Sequence, residues 1–211
     1  SGSGAVEFGG NIGATTALSD LTVNSSAGTG AITFSGNVGT STAAGAAAVA
    51  IGNADTASIT FAGVEFTSSG AQTFTADAYS ITGADSTFAT SNDNITFTDG
   101  GADGGITLAD IADLTLSTEL GGSGGGNIAV NVPIAGTAGN GDDATDVTIT
   151  AGSGTISIED ISTDISDVLL TSSGGITLNG NITTATDAND AGNESGVVTL
   201  TGPVTLAENI T

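Results

Sequence analysis

The chain has no lysine, arginine, histidine, cysteine, methionine or tryptophan, and these absences exclude more chemistry than any motif adds. With 23 Asp plus Glu residues and no basic side chain, its formal charge is −23 at pH 7. Nucleic-acid binding draws its affinity from Lys and Arg on phosphates, so a polyanion is repelled. An anionic membrane surface is excluded for the same reason. Catalysis lacks a His or Lys base, a Cys nucleophile, an Arg clamp, and the imidazole or thiolate that zinc prefers. Only carboxylates, hydroxyls and one Tyr remain. A disulfide scaffold cannot form without Cys, nor can a lysine-dependent isopeptide crosslink. The N-terminal SGSGAVEF has neither an initiator Met nor a basic region with an apolar stretch, so the expectation is a mature or excised product without a signal peptide. The most apolar stretch, Ala43 to Ile51, is far shorter than the ~20 residues of a bilayer span, and no membrane insertion is expected.

What is present is small and β-prone. Hydrophobic residues make up 38% of the chain, enough for an ordinary core, but aromatics are only 4%, so Val, Ile, Leu and Ala supply most of the apolar volume and suit a narrow, layered interior. High charge and 34 Gly residues are also marks of disorder. Regular alternation of β-branched residues argues against it.

One alternating unit returns along the chain: Val6-Glu7-Phe8, Ile32-Thr33-Phe34, Ile59-Thr60-Phe61, Ile95-Thr96-Phe97, Ile106-Thr107-Leu108, Ile128-Ala129-Val130, Ile156-Ser157-Ile158, Ile176-Thr177-Leu178 and Val198-Thr199-Leu200. Period 2 places both apolar side chains on one face and the middle residue on the other. In five cases a Gly corner follows and leads into a second short strand, at Phe8 to Ile12, Phe34 to Val38, Phe61 to Val64, Leu178 to Ile182 and Leu200 to Val204. A third unit is an Asp opening a strand: Asp20, Asp113, Asp146 and Asp167. Together these predict coils of two or three short strands recurring every ~20 to 35 residues, about seven or eight coils in all. Stacked at ~4.8 Å, they would form a rod of about 35 to 40 Å. Helix signals are poor, because Gly and Thr punctuate every window. Gly121 to Gly126, Thr137 to Asp146 and Thr186 to Gly196 read as excursions from the coil. No composition shift marks a boundary, so residues 1–211 are expected to form a single solenoid domain. The alternative fold is a β-sandwich, which short strands with Gly turns also suit.

Phrases such as GAITFSGNVG, GAQTFTADAYSITGADSTF and GVVTLTGPVTLAENIT resemble the degenerate repeats of filamentous-haemagglutinin-like adhesins and related giant bacterial surface proteins. The resemblance runs through nearly the whole chain and is weaker from Asp99 to Asp146. It implies a right-handed parallel β-helix that serves as a stalk or adhesive shaft, secreted to the bacterial cell surface, with cell-surface glycans as a class of partner. It transfers no catalytic or receptor-binding residue.

Carboxylates are the one functional group in excess. Three clusters combine them with amide oxygens: Asn92, Asp93, Asn94 and Asp99; Asn140, Asp142, Asp143 and Asp146; and Asp187, Asn189, Asp190, Asn193 and Glu194. Calcium takes six to eight hard oxygen ligands, and so Asp142, Asp143, Asp146, Asp187, Asp190, Asp93 and Asp99 are candidate calcium ligands, set against the simpler reading of solvated acidic loops. No EF-hand or nonapeptide calcium repeat is present. The Asp that opens each third strand would either form a vertical ladder of carboxylates or bond locally to its own turn; the local role is the expectation. Asn11, Asn37 and Asn181 are expected to stack at equivalent corners. Paired acids for glycoside hydrolysis could come only from Asp142 with Asp143 or Glu159 with Asp160, but neighbours on a strand point to opposite faces, and no enzyme is expected. Asn24, Asn94, Asn181, Asn193 and Asn209 open N-x-S/T sequons, frequent by chance in such a composition.

The function expected is therefore a non-enzymatic structural segment of a secreted surface protein, an adhesin shaft or extracellular fibre. The alternative is a subunit that polymerises end to end in a filament or surface layer, with calcium as a candidate cofactor. Both ends of the sequence fall inside repeats, so the partners expected are a longer polypeptide or further copies of the chain.

Overall fold

The computed structural model describes residues 2–24, 27–40, 44–83, 85–101, 104–122, 124–137, 145–185 and 196–207. Among these residues there is no helix and every regular element is a strand. In chain order they are β1 (Val6–Phe8), β2 (Leu18–Val23), β3 (Ile32–Phe34), β4 (Ala46–Gly52), β5 (Ile59–Phe61), β6 (Glu65–Ser68) and β7 (Gln72–Ala76). Next come β8 (Tyr79–Ile81), β9 (Ser86–Thr90), β10 (Ile95–Asp99), β11 (Ile106–Leu108), β12 (Leu114–Ser117), β13 (Ile128–Asn131) and β14 (Ile134–Gly136). The last are β15 (Thr145–Gly152), β16 (Ile156–Ile158), β17 (Ile161–Ser162), β18 (Ile165–Ser172), β19 (Ile176–Leu178), β20 (Val198–Thr201) and β21 (Val204–Leu206).

Strands pair with neighbours far away in sequence, and every strand-to-strand ladder is parallel. A first ladder runs β1-β3-β5-β8-β11-β14-β17. A second runs β6-β9-β12-β15-β18-β20, and a third β2-β4-β7-β10-β13-β16-β19-β21. The latter two meet at β4, which pairs with β6 through Ala46 and with β7 through residues 49–52. Single bridges carry the second ladder back through Val38 to Ile12 and the first onward to Ile182. The chain thus visits the three ladders in rotation, a β-solenoid-like repeat fold. A β-sandwich would need antiparallel ladders, so that alternative is not what forms.

Alternation along each strand explains the core. Inward rows line up in register across the ladders, as in Ile32, Ile59, Tyr79, Ile106, Ile134 and Ile161 on the first. Outward positions in the same strands carry Thr33, Thr60, Ser80, Thr107, Ala135 and Ser162. Six of the seven Phe side chains are fully buried. Phe8 stacks on Phe34 with ring centroids 4.7 Å apart, Phe66 on Phe88 at 5.8 Å and Phe74 on Phe97 at 4.8 Å, while Phe61 meets Phe66, Phe74 and Phe88 edge-on. From β11 onward Ile, Leu and Val fill the same rows.

All nine alternating triplets are strands, but they do not occupy one equivalent position. Those at β1, β3, β5 and β11 lie on the first ladder, those at β10, β13, β16 and β19 on the third, and that at β20 on the second. The corners divide in the same way: the three earliest link first to second, Leu178 to Ile182 links third to first, and Leu200 to Val204 links second to third. One pattern serves three places because each ladder imposes the same inward–outward–inward rule.

Candidate functional site

The expected calcium ligands fare unevenly. Asp142, Asp143, Asp187 and Asp190 lie outside the described residues, as do Asn140, Asn189, Asn193 and Glu194. Asp93 is exposed and its Oδ1 accepts the N–H of Asn94 at 3.1 Å; Asp99, at the end of β10, accepts the N–H of Gly101 at 2.9 Å. Both carboxylates close local turns. Asp146 belongs to β15 and not to the preceding loop. Among the described residues no three His, Cys, Asp or Glu side chains come together in a way that could hold a metal ion. Of the paired acids, Asp160 uses its Oδ1 to accept the N–H of Asn181 at 2.6 Å, which ties the third-to-first corner of one rung to the next.

The Asp residues opening the second-ladder strands form a ladder of their own. Asp146 N–H donates to Asp113 Oδ1 at 2.8 Å, Asp167 N–H to Asp146 Oδ1 at 3.0 Å, and Val197 N–H to Asp167 Oδ1 at 2.8 Å. Asp85 begins the column, its Oδ1 facing Asp113 N–H at 3.4 Å. The expected local role is therefore corrected: each carboxylate bonds to a backbone amide, but of the next rung and not of its own turn. Asp20 stands apart, in β2 on the third ladder. Asp85 escaped the sequence pattern because Ser86, buried and not apolar, follows it; Ser86 Oγ receives the N–H of Val64 at 3.2 Å. Burial and the neighbouring Asp167 charge raise the Asp146 carboxyl above the ordinary carboxylate range, partly offset by the bond from Asp167 N–H.

Asn side chains do the same work at other corners. Asn37 N–H bonds to Asn11 Oδ1 and Glu65 N–H to Asn37 Oδ1, both at 3.0 Å. Before the third ladder, Asn127 N–H bonds to Asn94 Oδ1 at 2.8 Å and Thr155 N–H to Asn127 Oδ1 at 2.9 Å. Asn11 and Asn37 lie at equivalent corners as expected, joined through a backbone amide where amide stacking was the expectation, whereas Asn181 lies at a different corner. The Asn94–Asn127 column went unread in the sequence, where Asn94 stood out as part of an acidic cluster and as the start of a sequon.

Two large polar groups are buried. The Tyr79 hydroxyl faces the carbonyls of Phe74 and Thr98 at 2.9 and 2.6 Å and accepts the N–H of Ala76 at 3.0 Å; burial pushes its phenol well above the usual range. Gln72 donates through Nε2 to Phe66 O and Ala89 O, both at 2.9 Å, cross-bracing the second ladder from the third.

An open groove of about 700 Å³ lies along the edge where the second ladder turns into the third. Its lining comes from five successive connections of that kind: Asn92, Glu119, Gly152 with Ser153, Ser173, and Thr201. Glycine is required at two of the lining positions, where neighbouring rungs approach closely. Gly152 has φ +54°, and a Cβ there would lie 2.2 Å from Gly124 O. Gly202 has φ +133°, and its Cβ would lie 1.8 Å from Ser172 O. In the sequence Gly202 reads as a corner and Gly152 stands in no recognised unit, and neither shows that the connections align into a trough.

Comparison with known protein families, with curated proteins and with solved structures finds no match to this chain.

Proposed function

We propose that the chain is a non-enzymatic structural segment of a secreted bacterial surface protein, an eight-turn right-handed β-helix acting as part of a shaft or extracellular fibre. The observation that supports this reading is the parallel stacking, in which largely apolar inward rows run from rung to rung on all three ladders, interrupted at positions such as Gln72 and Ser86 and with register shifts between β15 and β18. A count of eight is supported by three ladder visits per turn, with Ile12, Val38 and Ile182 taken as single-residue visits. The right hand is supported by strand twist, which favours right-handed crossovers between parallel neighbours. Such a body transmits length and stiffness, and its side chains offer no base or nucleophile beyond carboxylates and hydroxyls.

A second reading, a subunit polymerising end to end, is favoured by the last strands. Val198, Val204 and Leu206 are exposed there, on rows that Val168, Ile176 and Leu178 bury in the preceding rung. In the shaft reading the next turn of the same polypeptide covers them; in the second, another copy does. Calcium enters either reading as a counter-ion for the excess acid. The test is an antibody against this segment, used on the native source. A band far above 19.9 kDa that disappears when intact cells are treated with protease supports the shaft. An intracellular band near 19.9 kDa would overturn both readings.

A further inference from the structure

We propose that Asn179 is a site of spontaneous deamidation, in which the backbone nitrogen of Gly180 attacks the side-chain amide and Ser157 restrains the reaction. Asn179 lies in the corner after β19, between Leu178 on the third ladder and Ile182 on the first. Leu178 pairs with Ile158 and Ile182 with Ile161, so Asn179, Gly180 and Asn181 span this corner where only Glu159 and Asp160 span it one rung earlier. The extra residue finds no place in the hydrogen-bond pattern. Asn179 N–H donates to Ile158 O at 2.9 Å and Asn181 N–H to Asp160 Oδ1 at 2.6 Å, while Gly180 N–H, between them, meets no acceptor among the described residues.

An Asn carboxamide closes a five-membered ring when the next backbone nitrogen reaches its Cγ, and the approach is easiest when that residue is Gly, which has no Cβ and the widest backbone freedom. Among the described Asn residues only Asn179 precedes Gly; the others precede Ile, Val, Ala, Ser or Asp. Asn140 also precedes Gly and lies outside the described residues. Asp99 offers a contrast, because the N–H of the Gly100 that follows it is held by Ala76 O at 2.9 Å. Asn179 is only half-buried, so water reaches it. Its carboxamide has one restraint: Nδ2 donates to Ser157 Oγ, on the outer row of the preceding rung, at 2.9 Å. Ring closure must break that bond.

In the first step Gly180 N bonds to Asn179 Cγ, the Cγ–Nδ2 bond breaks, and the Gly180 proton leaves with Nδ2 as ammonia. Water then opens the cyclic imide. Cleavage at Cγ leaves an aspartate at position 179; cleavage at the main-chain carbonyl carbon leaves an isoaspartate, whose backbone is one carbon longer. Either product adds a negative charge close to Asp160, whose Oδ1 lies 2.6 Å from where a Gly180 Cβ would be. The longer backbone enters just before Ile182, where Ile161 N–H donates to Asn181 O and Thr183 N–H to Ile161 O, both at 2.8 Å. Deamidation thus loosens the last turn on its first-ladder side, whether the chain is a shaft or a polymerising subunit.

Folded protein held in warm, mildly alkaline buffer and mapped by peptide mass spectrometry at residue resolution tests this. Position 179 is expected to gain about one mass unit and to split into aspartate and isoaspartate. Its rate should be at least about tenfold that of Asn94 or Asn127, each followed by a β-branched Ile. Ser157→Ala is expected to raise the rate about two- to tenfold, the equivalent of one ordinary hydrogen bond. Asn179→Gln, which would need a larger ring, is expected to stay intact at that position. Hydrogen exchange at the Thr183 amide should quicken with age in the unmodified sequence and not in Asn179→Gln; melting curves before incubation show that each variant folds. Conversion confined to urea-unfolded chain, a lead by Asn94 or Asn127, or a rate indifferent to Ser157→Ala would overturn the proposal.

Discussion

Asp146 stands between Asp113 and Asp167 in a column of like charges, and its stabilising bond competes with a cost that depends on pH. Its folded carboxyl titrates above the unfolded one, through burial first and the Asp167 charge besides. Between those two values the folded chain holds more protons than the unfolded chain, so stability falls as pH rises through the folded value. The contribution is fully present below the unfolded value near ~3.9 and lost toward neutrality. Urea melts should therefore show a higher midpoint at mildly acidic pH than at pH 7. Asp146→Asn keeps an acceptor for Asp167 N–H while removing the charge, and should raise the midpoint at pH 7 and shrink the acid gain. A variant equally destabilised at both pH values would contradict this. At Tyr79 removal of the polar group destabilises: Tyr79→Phe leaves Ala76 N–H buried without its acceptor and should cost about 1–3 kcal/mol in the same urea melts.

At the scale of the element, strands are short and hold their place through corners. Asn127→Ala removes the acceptor for Thr155 N–H, with an expected loss of about 0.5–1.5 kcal/mol, whereas Asn127→Asp keeps it and should lose less. Gly152→Ala places a methyl against Gly124 O at a positive φ and should cost at least about 1 kcal/mol, against a change within about 0.5 kcal/mol for Ser153→Ala next to it. Thermal melts of the four variants would rank them. These corners also mark where sequence reading stops. The triplets were legible because alternation is a local property, but their assignment to three different ladders was not, since Ile156-Ser157-Ile158 and Ile106-Thr107-Leu108 look alike and differ only in what precedes and follows them. The Asp column was seen in three of its four members, yet its bonds run between residues 21 to 33 positions apart, which no local pattern encodes. The groove was invisible for the same reason, being built from one to three residues of each of five connections.

The whole molecule carries 23 negative formal charges and no positive side chain, so its electrostatics are repulsive on balance. Screening shortens the reach of that repulsion from ~30 Å at 0.01 M salt to ~3 Å at 1 M. The melting temperature should rise by several degrees between those salt concentrations, as followed by circular dichroism; a fall would mean that attractive pairs dominate. The parallel stack itself makes a sharper claim. Glu7, Thr33, Thr60, Ser80, Thr107, Ala135 and Ser162 occupy one outward row, each paired in register with the next. The chain lacks Cys, so Cys pairs introduced along this row label uniquely with nitroxides. Distances measured by pulsed electron paramagnetic resonance from position 7 to positions 80, 107, 135 and 162 should rise by ~4.8 Å per rung, to about 29 Å at the last. Distances that fail to increase in that order, or that shorten at the later positions, would contradict the solenoid.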